Sequence, residues 1–92
     1  MVTVIFPSQF SKILNGQLRQ AGPGSSLREV LTGICAAKAD LRKLLFLPTE
    51  EVSPFIGFSL VGDETFYSAK MLDGRALQPG DAVEVILSMA GG

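Results

Sequence analysis

Histidine and tryptophan are absent from this 92-residue sequence, and cysteine and tyrosine occur once each. A lone cysteine closes no internal disulfide, and without histidine the usual zinc sets and nucleophile–His triads lose their commonest member. No catalytic residue, metal ligand or bound cofactor is therefore expected. Charge of one sign is equally scarce. Eight basic against nine acidic residues give a formal net charge of −1, and no basic run offers a track for nucleic acid. No apolar run approaches the ~20 residues that cross a bilayer as a helix. The opening Met1–Phe6 lacks a charged n-region and meets Pro7 too early for a secretory h-region. These absences lead to the expectation of a cytoplasmic protein that engages neither nucleic acid nor membrane. What is present is apolar: 47% hydrophobic against 18% charged residues, with a mean hydropathy of +0.35, describes one packed domain. A domain this small must use nearly all its apolar positions well.

Val2–Phe6 is a β-branched and aromatic run stopped by Pro7, and reads as a strand. Asn15-Gly16 is a hairpin turn signal, after which Gln17–Ala21 reads as a short polar edge strand with Leu18 inward; Gly22-Pro23-Gly24 ends it. Ser26-Leu27-Arg28-Glu29 is a capping box. In it the Ser26 hydroxyl accepts from the Glu29 amide and the Glu29 carboxylate reaches back to the Ser26 amide. Leu27, Val30, Leu31, Ile34 and Cys35 then recur as one helical stripe. Cys35 on that stripe is a small buried hydrophobe, and a close approach to a strand is one reason for Gly33. Asp40 is placed to cap a second short helix, with Leu41, Leu44 and Leu45 on one face, before Pro48 and a loop tipped by Glu50 and Glu51. Phe55–Val61 is a strand alternating Ile56, Phe58 and Leu60 with Gly57 and Ser59. Gly62-Asp63 turns it into a short return strand, Thr65–Tyr67, and residues 70–81 read as irregular. Gln78-Pro79-Gly80-Asp81 fits a type II turn. The last strand, Ala82–Leu87, alternates Val83, Val85 and Leu87 against Glu84 and Ile86. The order predicts an α+β domain with one sheet and one covered face, its first and last strands parallel neighbours joined by a crossover through the helix.

That last strand leads into Ser88-Met89-Ala90-Gly91-Gly92. Two glycines carry no side chains, adopt almost any backbone angle and thread extended into a narrow cleft. A carboxylate is a poor electrophile and needs activation, for example as an acyl-adenylate, before a sulfur or nitrogen nucleophile attacks it. An enzyme that closes around a chain end to do this needs no Cβ near the reacting carbon. The alternative for the dipeptide by itself is a frayed end.

Leu77-x-Pro-Gly80-Asp81-x-Val83-x-Val85-Ile86 leading into Gly91-Gly92, the Val61-Gly62-Asp63-Glu64 hairpin and the helix opening at Ser26-Leu27 together resemble the ubiquitin-like sulfur carriers of the ThiS/MoaD type. The resemblance covers essentially the whole chain. It implies a β-grasp fold, with residues 1–88 as the domain and 89–92 as a flexible diglycine tail. It further implies a protein co-substrate and not an enzyme. An adenylating enzyme of the ubiquitin-activating type, using ATP and magnesium, would activate the Gly92 carboxylate; a sulfur donor enzyme would convert it to a thiocarboxylate; and a downstream synthase would consume the sulfur. Gly91, Ala90 and Met89 would thread into the partner, and no protease step is expected. The resemblance also implies a docking face on the exposed side of the sheet, for which Ile86, with Val61 and Arg75, is the candidate set. Ile86 lies opposite Val83, Val85 and Leu87; the competing reading makes it core.

Leu87-Ser88 stands where molybdopterin-synthase small subunits commonly carry two prolines, and residues 41–54 make the chain longer than a typical thiamine carrier. The destination of the sulfur is thus left open among cysteine, thiamine thiazole, molybdopterin, tRNA thiolation and a sulfur-containing secondary metabolite or siderophore. The alternative functions are a protein modifier forming isopeptide bonds through Gly92, and a β-grasp interaction module without chemistry.

Overall fold

A computed structural model describes residues 1–63 and 65–87 of the chain. The expectations for Met89, Ala90, Gly91 and Gly92 concern residues outside these. Strand β1 (Val2–Ile5) is followed by a 3-10 turn at Ser8–Phe10, β2 (Arg19–Gly22), helix α1 (Leu27–Cys35), helix α2 (Ala39–Leu45), β3 (Ile56–Leu60), β4 (Phe66–Ser68), helix α3 (Ala69–Asp73) and β5 (Ala82–Leu87). The sheet runs β2-β1-β5-β3-β4. β1 and β5 are parallel neighbours, and the other pairs are antiparallel. This is the mixed sheet with a helix across one face that the element order and the family resemblance predict: an α+β, ubiquitin-like β-grasp domain.

Local chemistry explains most boundaries. Asn15 and Gly16 both take positive φ (53° and 79°), the twist that returns the chain from the 3-10 segment toward β2. Gly80, at φ 92°, supplies the left-handed position of a turn closed by the Asp81 amide donating to the Gln78 carbonyl (3.0 Å). The amide of Gly80 also donates to the Met1 carbonyl, which sets the register of β5 beside β1. Ser26 caps α1, its Oγ accepting from the Glu29 amide at 3.2 Å. The Glu29 carboxylate reaches back as expected for a capping box, but it accepts from the Ser25 and Ser26 hydroxyls in place of the Ser26 amide.

All five stripe residues of α1 are buried against the sheet, together with Val2, Val4, Phe58, Val83 and Val85. Cys35 belongs to this core; burial pushes its thiol pKa up, against the opposing pull of Arg42 and Lys38. It stays protonated and serves as a small hydrophobe.

Four local expectations change. The N-cap of α2 is Lys38 and not Asp40, which stands in the first turn. Leu41 and Leu45 are buried, but Leu44 is 49% exposed. The helix stops at Leu45, and Phe46 takes extended angles to bridge to Val52, so a stripe of seven residues has room for only two inward leucines. The acidic tip is also less free than expected: Glu50 pairs with Arg42 at 3.2 Å, and its carbonyl accepts from Arg28 Nη1. Finally, residues 69–73 form α3, capped by Ser68 and carrying the fully buried Leu72.

The close helix–strand approach predicted for Gly33 occurs at Gly22 instead. A Cβ on Gly22 would sit 3.0 Å from the Val30 carbonyl oxygen and 3.2 Å from Ile34 Cγ1, whereas one on the exposed Gly33 would meet only Pro23 Cδ at 3.7 Å. Gly22→Ala is therefore expected to destabilise the fold by ~1–3 kcal/mol through overpacking against backbone. Gly33→Ala should stabilise it by up to ~1 kcal/mol from helix propensity. Urea unfolding of the two variants checks both signs.

Candidate functional site: the open face of the sheet

Because side chains alternate along a strand, the helices cover only half the sheet. The strand residues opposite the core form an open face: Ile5 on β1, Glu84 and Ile86 on β5, Gly57 and Ser59 on β3, and Phe66 on β4. Registers place them relative to one another. Gly57 is the Cα partner of Ile86, and Ser59 is partnered by Glu84 on one side and Phe66 on the other.

Ile86 is half-buried and lies outside the hydrophobic core, while Val83 and Val85 are inside it. The choice between docking candidate and core residue therefore falls on the open face. Beside it, the ring of Phe66 lies over Gly57 and occupies the space that a Cβ there would need. An aromatic folded over a strand glycine covers backbone that would otherwise face water, and so gives a flat apolar spot continuous with Ile86. Phe66 remains 57% exposed. This residue was missed in the sequence, where it reads only as part of a return strand. Its one signal is Gly57 at an outward position of an otherwise well-filled strand, since glycine there marks a close approach.

The other docking candidates are held at the far end of β5. Val61, also 57% exposed, donates its amide to the Ala82 carbonyl at 2.9 Å, four positions and ~13 Å along the strand from Ile86. Arg75 sits at that same end. Its Nη1 donates to the Tyr67 hydroxyl at 2.8 Å and approaches Asp63 Oδ2 at 3.4 Å, and its guanidinium lies 5.9 Å from the Tyr67 ring centroid. The structure thus separates the three candidates: Ile86 joins Phe66 near the end of β5, and Val61 joins Arg75 at its start.

Asp63 organises the start-of-β5 end. It accepts from the Thr65 amide (2.9 Å) and the Tyr67 hydroxyl (2.8 Å). The Thr65 amide bond, then the Tyr67 hydroxyl, with help from Arg75, hold its pKa down at about 2. A carboxyl depressed below its unfolded value of ~3.9 stabilises the fold above that pH. That contribution is lost as pH falls through about 2. Asp63→Asn is therefore expected to be less stable than the parent at pH 7, and the gap should narrow between about pH 4 and pH 2. Urea titrations at several pH values measure this. A gap that is constant with pH would show that the Asp63 charge contributes nothing.

No group of His, Cys, Asp or Glu among the described residues is arranged to hold a metal ion, and no helix among them is long and apolar enough to cross a membrane. The face offers the exposed ring of Phe66 and the half-buried Ile86, beside Ser59 and Glu84.

The fold and the open face together define a small β-grasp domain whose central strand leads into the C-terminal segment. Among solved structures, the chain is similar over its whole length to a chain of the Amycolatopsis orientalis BexX/CysO complex, at 19% identity, full coverage of both chains and a TM-score of 0.75. It is also similar to Mycobacterium tuberculosis CysO, an antigen (19% identity, 97% of this chain and 100% of the other, TM-score 0.74), and to SAMP1 from Haloferax volcanii (16%, 99% and 98%, TM-score 0.72). No family model matches the sequence, and no curated protein matches it. At these identities the likeness establishes the shared fold.

Proposed function

We propose that this chain is a ubiquitin-like sulfur carrier. The observation that carries the proposal is the position of β5: it is hydrogen-bonded to β1 on one side and β3 on the other, and it ends at Leu87, five residues before Gly92. The strand leading to the diglycine is thus fixed from both sides, with Ile86 and Phe66 on the adjoining open face. In the proposed cycle a partner enzyme draws in Met89–Gly92, and an oxygen of the Gly92 carboxylate attacks the α-phosphate of ATP. Pyrophosphate leaves and an acyl-adenylate forms. Hydrosulfide then attacks the acyl carbon and displaces AMP to give the thiocarboxylate; its sulfur attacks an electrophilic small molecule in a synthase, and water cleaves the resulting thioester, leaving the sulfur on the product and returning the Gly92 carboxylate. The resemblance of Leu77–Ile86 and Gly91-Gly92 to the ThiS/MoaD pattern supports this reading. So does a fold shared with a chain of the crystallised BexX/CysO complex.

The test is the intact mass of the protein from its native host, or after incubation with its adenylating enzyme, ATP and sulfide. A gain equal to the difference between sulfur and oxygen, located in the Gly92 peptide, is expected. Gly92 joined to lysines of other proteins would assign a modifier instead, and an unaltered terminus under all conditions would leave only an interaction module.

A further inference from the structure

Glu84 stands midway along β5, the central strand of the sheet, where glutamate is a poor strand former and a β-branched residue the ordinary choice. Registers give its surroundings on the open face. Its Cα partners are Ile5 on β1 and Ser59 on β3; one strand further out lie Arg19, the partner of Ile5, and Phe66, the partner of Ser59. Neither immediate neighbour compensates the charge. Ile5 is apolar, and the Ser59 hydroxyl is directed at the Asp63 carbonyl, 3.5 Å away. Arg19 is two strands distant, ~10 Å between the backbones. Among the described residues the exposed Glu84 side chain has no hydrogen bond or ion pair, with Arg19 or any other.

The carboxylate thus costs strand propensity and stabilises nothing within the domain, and a local rule broken without compensation inside the fold points to a use outside it. Its position says which use. Ile86 follows two residues later on the same face, ~7 Å along the strand, and Phe66 leans over Gly57 beside them. A surface that closes on Ile86 and Phe66 also closes beside Glu84. Stripping water from an unpaired carboxylate is strongly unfavourable, whereas an opposing cation turns the same contact into attraction and guides the approach.

We infer that Glu84 selects the partner of the open face: the surface that docks there carries an arginine or lysine against Glu84, next to an apolar hollow for Ile86 and Phe66. The inference rests on the adenylating enzyme docking on this face, in keeping with the proposed function, and it states the chemistry by which that enzyme is recognised.

The test measures binding of the full chain to the native host's adenylating enzyme by calorimetry, without ATP, at low and high NaCl. Glu84→Gln keeps the size and removes the charge, Glu84→Lys reverses it, and Glu51→Lys makes the same net change on an exposed loop away from the face. At low salt Glu84→Gln should bind about tenfold and Glu84→Lys about 100-fold more weakly than the parent, the gaps shrinking as salt screens the pair. Glu51→Lys should bind nearly as the parent does, and urea midpoints should show all three variants folded. Parent-like binding by both Glu84 variants would overturn the inference. Tighter binding by Glu84→Lys would do the same, as it would mean an anionic partner surface; so would an equal loss in Glu51→Lys, which would reduce the effect to net charge. A parent that does not bind the enzyme also overturns it, and the mass of the protein from its native host then still decides the carrier proposal. Binding that depends on Glu84 without any mass gain at Gly92 defeats the carrier proposal alone.

Discussion

Removal of Gly92 alone should abolish the mass gain while leaving the fold almost as stable as before. The two readouts separate because the last described side chain packed on the core lies five residues upstream. Leu87 is half-buried against the core and paired with Ile56, and Gly92 is five residues further on. Deleting the terminal glycine leaves every described strand pair and core contact in place. It also moves the carboxylate onto Gly91, one residue short of where an activating site that grips Met89 and Ala90 expects it. A shift of one residue is ~3.3–3.6 Å, and a misplacement of even ~1 Å can cost about 100-fold in rate. A large drop in melting temperature would mean that the terminus is part of the packed structure, and a carrier whose working end is structural could not surrender it to a partner.

The features most legible in the sequence were those in which one residue type satisfies one local demand. Asn15-Gly16, Gly80 and the Ser26–Glu29 cap fall where the dipeptides and spacings put them, because positive φ and an unpaired helix amide are local requirements. The five-residue stripe of α1 was legible because nine helical residues give a period time to repeat. Helix α3 was not: five residues make little more than one turn, too few to establish a period, and the one sign was Ser68 with its hydroxyl accepting from the Met71 amide. Leu44 failed for a related reason, since the spacing of three leucines in a short helix cannot say which the sheet will cover. The exchange of Gly33 for Gly22 as the crowded glycine shows the limit most plainly. Which glycine faces a helix depends on the register of β2 against β1, and register is a long-range property. The open face suffered the same limitation. Ile86 could be assigned from alternation along its own strand, whereas Phe66 becomes part of the site only through its pairing with Ser59 and its lie across Gly57 on the neighbouring strand.

That pairing makes Ile86→Asp the most informative single substitution on the domain. Ile86 is half-buried on the face away from the core, so aspartate there loses some strand propensity, of the order of 1 kcal/mol, and stands two residues from Glu84 in mostly solvated surroundings. The fold should survive. If partners dock on the open face, the same change puts a charge at the centre of an apolar contact, where truncating a central residue commonly costs 2 kcal/mol or more, about 30-fold in affinity. The expected result is therefore a large rise in KM for activation with a small change in the urea midpoint. Phe66→Asp should reproduce it, because the ring is the other half of the same spot. Val61→Asp, an equally exposed residue ~13 Å away along β5, should have a much weaker effect, since the start of β5 would lie outside the footprint. Val85→Asp supplies the contrast, as burial of a carboxylate in a position only 4% exposed should prevent folding. If Ile86→Asp and Phe66→Asp both fold and are activated as efficiently as the parent, the open face is not the docking surface. If Val61→Asp is instead the damaging change, the partner approaches along the Asp63–Arg75 end, and the tail must cross the full length of β5 to reach its active site.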